Sequence, residues 1–339
     1  MLKVNTTPSI PTSAGLIRST VRSARTARSR VQDQNFPPNM KSSFLTSSLR
    51  CSLAPLALLA LMAGCTTVNS SSVSAFSTGV TAARAETKTS FDTIVSLTQT
   101  SSIDRIARLD TLDESQLITV PDAGAIKAWN GVLDPVSHYA QHLSALVSGD
   151  LTSGLDTALE GLSNEFKATS TDLKAKANIG NGAQIPAGVA AAFNAAADAL
   201  LQARGQKEAA AIAKITDSKI RLIFTTLADA VGSDSSKGIR GTVHANWDQQ
   251  LGNLKVDFLN AGTIEKRRAV VVQLIAVMNQ RGAEDDGLAS LRNSYLALAD
   301  AHEAIVSGSE IDMRGAIDLI STELKHARDL QAQYAAPAK

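Results

Sequence analysis

Apolar residues recur at helical spacing along most of the chain, and the pattern is most regular near the C-terminus. Two apolar seams there advance by alternating steps of three and four residues, the heptad spacing of helices that pack side by side. The first seam is Leu288, Leu291, Tyr295, Leu298, His302 and Ile305, and the second is Met313, Ile317, Ile320, Leu324 and Ala327. Ser307 and Gly308 separate them, and Ser309 and Asp312 have the spacing of a capping box. This pattern predicts an antiparallel, coiled-coil-like helical hairpin.

Helical periodicity also predicts the elements that precede this hairpin. They are 76–109, 123–147 with an interruption at Asp134-Pro135, 151–178, 187–231 with a bend at Gly205, and 241–280 with a kink at Gly262. The stretch 110–121 is predicted to be a loop, and 179–186 a break between helices. Alternating β-branched or aromatic runs, which are typical of strands, do not occur. The predicted fold class is therefore all-α, an elongated antiparallel helical bundle.

The run AVVVQLIAVM, at positions 269–278, is the most apolar stretch of the predicted helices. It has about half of the roughly 20 residues that a membrane-spanning helix needs, and it contains Gln273. We therefore expect this run to be buried core.

A second apolar run, Leu53 to Met62, lies ahead of the helical region. Its length suits the hydrophobic region of a secretory signal, and Lys41 and Arg50 supply the positive flank. It ends in Met62-Ala63-Gly64-Cys65, which resembles the lipobox of bacterial lipoprotein precursors, with Met62 where leucine is usual. The resemblance covers only residues 40–65. It implies that the chain is cleaved before Cys65 and that this cysteine carries fatty acyl groups such as palmitate; the alternatives are an ordinary secretory leader or a buried apolar segment.

These signals predict the organisation of the chain. Residues 1–39 are rich in Arg and Ser, as in an organellar transit peptide, and we expect a disordered or misassigned upstream segment, with translation starting at Met40. Residues 40–64 are then the lipoprotein signal peptide, 65–75 a flexible tether and 76–335 a helical bundle domain. Thr66 follows the cysteine where aspartate would retain a lipoprotein at the inner membrane. The resemblance therefore implies a lipid-anchored protein of the outer membrane that faces the periplasm.

Cleavage before Cys65 changes the charge of the protein. Eight of the 33 Lys and Arg residues and one of the 32 Asp and Glu residues precede Cys65, so the remaining chain has a net charge of −6. An acidic chain argues against nucleic acid as a partner, because phosphate binding needs clustered Lys and Arg. Cys51 is lost with the leader, and a single remaining cysteine allows no disulfide within one chain.

Catalytic motifs are absent from the sequence, and we expect neither an enzyme nor a cofactor. GSDSSKG, at 232–238, resembles a phosphate-binding loop but has the wrong residue order, so it is predicted to be an ordinary loop. The one metal candidate is Asp134, His138 and His142, spaced i, i+4, i+8 along one helix face. The alternative is that Asp134 caps the helix ahead of Pro135 and that both histidines face solvent or pack beside Trp129.

The sequence leaves several classes of function open. A lipid anchor, a tether and a long helical body favour a protein-binding adaptor or scaffold in the periplasm, whose partners are the membrane through Cys65 and another envelope protein. The C-terminal hairpin, Leu288 to Leu330, is the expected docking surface unless both seams are buried inside the bundle. The alternatives are a periplasmic inhibitor or immunity protein, or a protein that binds a metal or an apolar ligand.

Overall fold

The computed structural model describes residues 69–109, 123–151, 153–176 and 187–335, which all belong to one compact unit. These residues form nine α-helices and no strand, so the prediction of an all-α fold is confirmed. The helices are α1 Ser70–Ile106, α2 Ala123–Gly131, α3 Asp134–Ser148, α4 Leu155–Lys176, α5 Ala187–Gln202, α6 Ala209–Val231, α7 Gly238–Asn260, α8 Ile264–Ser307 and α9 Glu310–Ala335. The predicted signal peptide, Cys65, the loop 110–121 and the break 179–186 lie outside the described residues.

Helix α1 begins at Ser70, six residues before the start that the sequence predicted. Asn69 is its N-cap, and its side chain accepts a hydrogen bond from the backbone N–H of Ser71. Val73, one turn later, is fully buried. The Asn69 cap and the burial of Val73 therefore stabilise the serine-rich run as helix, although serine is a weak helix former.

The predicted interruption at Asp134-Pro135 is present, between α2 and α3. The N-cap of α3 is Leu133 rather than Asp134, so the predicted capping role of Asp134 is wrong. The Asp134 carboxylate forms an ion pair with Arg84 of α1 instead. Proline in the first turn is compatible with a helix start because the N–H that it lacks has no intrahelical acceptor there.

The long segment 187–231 is two helices. α5 ends at Gln202 and α6 starts at Ala209, and Gly205 between them has a left-handed φ of 83°. The loop from Gly232 to Gly238 then joins α6 to α7. Gly232 has a φ of 110°, and a Cβ atom there would lie 2.0 Å from the carbonyl oxygen of Lys237, so only glycine fits this turn.

Helices α7 and α8 differ most from the prediction. A turn at 261–263 replaces the expected kink, and the Thr263 side chain caps α8 by accepting a bond from the N–H of Lys266. α8 then runs without interruption for 44 residues, so it joins the end of the predicted segment 241–280 to the seam that begins at Leu288. α7 packs back against its first half.

The C-terminal helices α8 and α9 follow one another along the chain and pack against each other. Gly308 ends α8 in the left-handed conformation, and the hydroxyl of Ser309 accepts a bond from the N–H of Asp312. All six residues of the first seam are at most 3% exposed, and the second seam is buried except for the half-buried Ile317. Both seams are therefore used inside the bundle.

The core is built around the second half of α8, which contacts α1, α6 and α9. Aromatic side chains hold α1 to its neighbours: Phe91 stacks on Trp129 of α2, and Phe76 meets the edge of Phe224 of α6. Trp129 is fully buried and Trp247 nearly so, as expected for aromatic residues of a bundle.

Candidate functional site

The α7–α8 hairpin exposes more large apolar side chains than any other part of the described chain. Thirteen such side chains are exposed among the described residues, and eight of them lie on this hairpin. The eight are Val256, Phe258, Leu259, Ile264, Val271, Val272, Ile275 and Met278. Contiguous exposed apolar side chains are typical of interaction sites, whereas single ones are ordinary.

The prediction that the run 269–278 is buried core is therefore wrong. Val277 is the only residue of this run that is buried. α7 packs against this run and lines a groove with it, whereas the hydrogen bonds from α1, α6 and α9 to α8 lie farther along, at Tyr295, His302 and Ser290. Most side chains of the run are therefore left facing solvent.

Between the two helices, close to the turn that joins them, is an apolar groove that we call the tip groove. Its volume is about 360 Å³, and it is lined by Leu254, Lys255, Phe258, Leu259, Val270, Val271 and Leu274. The guanidinium of Arg267 lies 5.6 Å from the ring centroid of Phe258, and its Nε donates to the carbonyl oxygen of Ala261 at 3.1 Å. Arg267 thus connects the start of α8 to Phe258 of α7 and to the turn at Ala261, at one end of the groove.

Basic residues surround the tip groove. Lys255, Lys266 and Arg267 are all exposed, and Glu265 is the exposed carboxylate beside them. The other nearby carboxylate, Asp257, is bound by the guanidinium of Arg108 from the end of α1, which lowers the pKa of Asp257. The rim of the groove is thus positive, on a chain that is acidic after Cys65.

The ion pair between Arg108 and Asp257 places the tip groove beside the C-terminal end of α1. α1 has 37 residues and is therefore about 55 Å long at 1.5 Å per residue. Its other end, Ser70, is five positions from Cys65 in the sequence. The groove and the start of α1 are therefore separated by about the length of that helix.

Three polar contacts join α7 to α8 farther from the connecting turn than the tip groove. Arg240 binds Asp285 through two bonds of 2.8 Å, and Arg281 binds Asp248 at 2.8 Å. Between them, the indole N–H of Trp247 donates to the carboxyl group of Glu284, which is 5% exposed. Burial raises the pKa of Glu284 to about 7, although the bond from Trp247 favours the ionised form.

The predicted metal ligands are not brought together. Asp134 is paired with Arg84, and Nδ1 of His138 lies 2.8 Å from a carboxylate oxygen of Glu165 on α4. The pKa of His142 is lowered by burial and by the nearby His138. Within the described ranges, no group of three or more His, Cys, Asp or Glu side chains is arranged to hold a metal ion.

His302, which the sequence placed on a seam, is the centre of a buried polar network. Its Nδ1 lies 2.9 Å from Asp217 of α6, and its Nε2 lies 2.9 Å from the hydroxyl of Tyr139 of α3. That hydroxyl is also 2.7 Å from Thr216 Oγ1. Burial lowers the pKa of His302, so the ring is neutral at pH 7, donates to Asp217 and accepts from Tyr139. The network fixes how three helices meet.

Sequence reasoning missed the tip groove, although the sequence carries a signal for it. Val270, Val271 and Val272 are consecutive, so they point to different sides of the helix. A helix that is apolar on all sides needs several neighbours, and the segment before it could supply only one.

Comparison with protein-family models, with curated proteins and with solved structures finds no match to this chain. None of the described helices combines the length and the hydrophobicity that a membrane crossing requires. The function has to be inferred from the chain's own surface.

Proposed function

We propose that this protein is a lipid-anchored adaptor of the outer membrane that faces the periplasm and holds a helix of another envelope protein in its tip groove. The observation that carries the proposal is the exposed apolar groove between α7 and α8, with its basic rim. The lipobox-like sequence that ends at Cys65 supports the anchor. The proposal assigns no reaction to the protein.

The apolar lining favours a partner that buries it. Leu259 is 76% exposed and Val271 is 40% exposed, and fully covering a side chain of this size contributes about 1.5 to 3 kcal/mol. A groove between two helices suits an amphipathic helix, which inserts residues spaced by three and four positions. Three or four inserted side chains are enough for a specific complex of moderate affinity.

The charge around the groove selects the partner. Lys255 lines it, and Lys266 and Arg267 are exposed beside it. Acidic residues on the flanks of the partner helix would face these cations, which speeds association and disfavours basic helices. We therefore expect an acidic amphipathic helix.

The location of the groove supports the adaptor role. If Cys65 is held in the membrane, the short stretch from Cys65 to Asn69 connects it to α1, and the groove lies about one length of α1 from that end. An anchor and a binding surface at different ends of a helix are what a tethering protein requires.

The anchor is tested by intact-mass analysis of the protein from its native membrane. We expect a chain that begins at Cys65 and carries acyl groups, because chain burial at about 0.8 kcal/mol per CH₂ holds such a protein on the bilayer. Cys65→Ser should abolish the acylated form, whereas Cys51→Ser, the matched control within the leader, should leave the mature mass unchanged. An unacylated mature chain would refute the anchor.

The tip groove is tested with a photo-crosslinking amino acid at position 259 in intact cells. The control position is Ile311, an equally exposed apolar residue of α9 that is 85% exposed. We expect a discrete adduct at 259 and none at 311, with the cross-linked peptide in a helix that has acidic residues beside an apolar stripe. Adducts with lipid alone, or with a peptide that lacks this pattern, would contradict the proposal.

Charge reversal provides the second arm of this test. Lys255→Glu together with Lys266→Glu should weaken the captured complex, since these cations surround the groove. Lys214→Glu, on an exposed position of α6, is the control and should leave the complex unchanged. Equal effects of the two changes would mean that the rim does not select the partner.

A further inference from the structure

The side of α8 that faces away from α7 carries a second exposed pattern, which we call the outer stripe. Six exposed residues follow one another by steps of four, three, four, three and four positions, the spacing of a heptad seam. They are Arg268, Val272, Ile275, Asn279, Gly282 and Asp286. Val272 is 62% exposed and Ile275 is 54% exposed. Unlike the C-terminal seams, this one has no partner helix among the described residues.

The outer stripe is distinct from the tip groove. Val270 and Leu274 face α7 and line the groove, whereas Val272 and Ile275 are on the opposite side of the same helix. Arg281 and Asp285, which bind α7, also lie on the groove side. A molecule on the outer stripe would therefore leave the groove open.

The two ends of the stripe carry opposite charges. Arg268 is at one end and Asp286 is at the other, 18 positions later, which corresponds to about five helical turns at 3.6 residues per turn, so both point in the same direction. Neither forms an ion pair or a hydrogen bond with another described residue, although Asp286 lies near enough to Arg240 of α7 to help raise its pKa. Asp285 and Arg281 of the same helix are both paired with α7. The stripe is thus basic at its start, apolar in the middle and acidic at its end.

This order makes the stripe complementary to itself in the antiparallel direction. When a second copy of α8 lies antiparallel to the first, with the two Val277 residues at the same level, Arg268 of each copy faces Asp286 of the other. Val272 then faces Gly282, where a Cβ atom would meet nothing within 4 Å, so there is space for the valine side chain. Ile275 faces Asn279, and a polar residue at one seam position is known to specify register.

We propose that a second copy of this chain packs antiparallel on the outer stripe and forms a symmetric dimer closed by two reciprocal pairs of Arg268 with Asp286. A parallel copy would set like charges against each other. A lipid surface would gain nothing from Asp286 or Asn279. Two-fold symmetric contacts are self-complementary by nature, and the charge order of this helix has that property.

The experiment uses a chain that starts at residue 66, whose described residues have their own core. Sedimentation equilibrium over a range of concentrations should show a reversible dimer. Arg268→Glu and Asp286→Arg should each raise its dissociation constant by about tenfold or more, because each change turns two attractive exposed pairs into repulsive ones. The double variant Arg268→Glu, Asp286→Arg should restore the dimer, which a folding defect would not do.

Cysteine pairs test the direction. A variant with both Val272→Cys and Gly282→Cys should form disulfide-linked dimers, since these positions are opposed only in the antiparallel copy, and neither single change should do so. Phe258→Asp, in the tip groove, should leave the dimer unchanged. A monomer at all concentrations, a dimer insensitive to both charge reversals, or single cysteines that cross-link as well as the pair would overturn the proposal.

Discussion

Glu284 should make the stability of the protein depend on pH. It is buried where α7 crosses α8, and one carboxyl oxygen accepts a hydrogen bond from the indole of Trp247. The folded pKa of about 7 compares with an ordinary value of 4.5. The folded protein therefore binds a proton more tightly than the unfolded chain does.

The direction of the pH effect follows from proton linkage. Between pH 4.5 and about 7 the unfolded chain releases this proton first, so the free energy of unfolding falls as pH rises through that window. At 1.36 kcal/mol for each unit of pKa difference, the loss above pH 7 is about 3 kcal/mol. Glu284→Gln removes the ionisation and keeps an oxygen that can accept from Trp247. The variant should therefore match the parent below about pH 4 and exceed its stability by up to about 3 kcal/mol at pH 8 to 9.

The assay is urea unfolding followed by circular dichroism, at a series of pH values, of the chain from residue 66. The relevant quantity is the difference between variant and parent, because other groups that titrate contribute equally to both. Asp300→Asn, which removes an exposed carboxyl from the same helix, is the matched control. A constant difference for Glu284→Gln would show that this carboxyl ionises in the folded protein as it does in water.

Three further substitutions test other parts of the structure. Tyr139→Phe should lower the free energy of unfolding by about 2 kcal/mol, because it leaves His302 with an unsatisfied buried nitrogen, and urea unfolding measures this. Gly232→Ala should lower the melting temperature by more than Gly205→Ala, since both glycines have positive φ but only at Gly232 would a Cβ atom strike the backbone; equal shifts would mean that the close approach is absent. His138→Ala should change stability by less than about 0.5 kcal/mol and leave zinc content unchanged, because its contact with a carboxylate is exposed.

Several features of the fold follow from local signals and were predicted from the sequence. The spacing of Leu291, Tyr295 and Leu298 identified the buried side of α8. The capping role of Ser309 and the restart of a helix at Asp134-Pro135 were also predicted in place, since capping and proline chemistry act within one turn. The adaptor role and the lipid on Cys65 remain predictions.

What local signals could not supply is the set of neighbours around each helix. The run 269–278 has the same composition whether it is buried by several helices or flanked by one, and only the packing of α7 against it decided that most of it is exposed. The partners of His302 are 85 and 163 positions away along the chain, so no local pattern identified them. Apolar periodicity reports which side of a helix prefers to be buried, because that preference comes from the helix's own 3.6-residue turn. Whether that side is covered depends on contacts between distant segments, and these exist only in the folded chain.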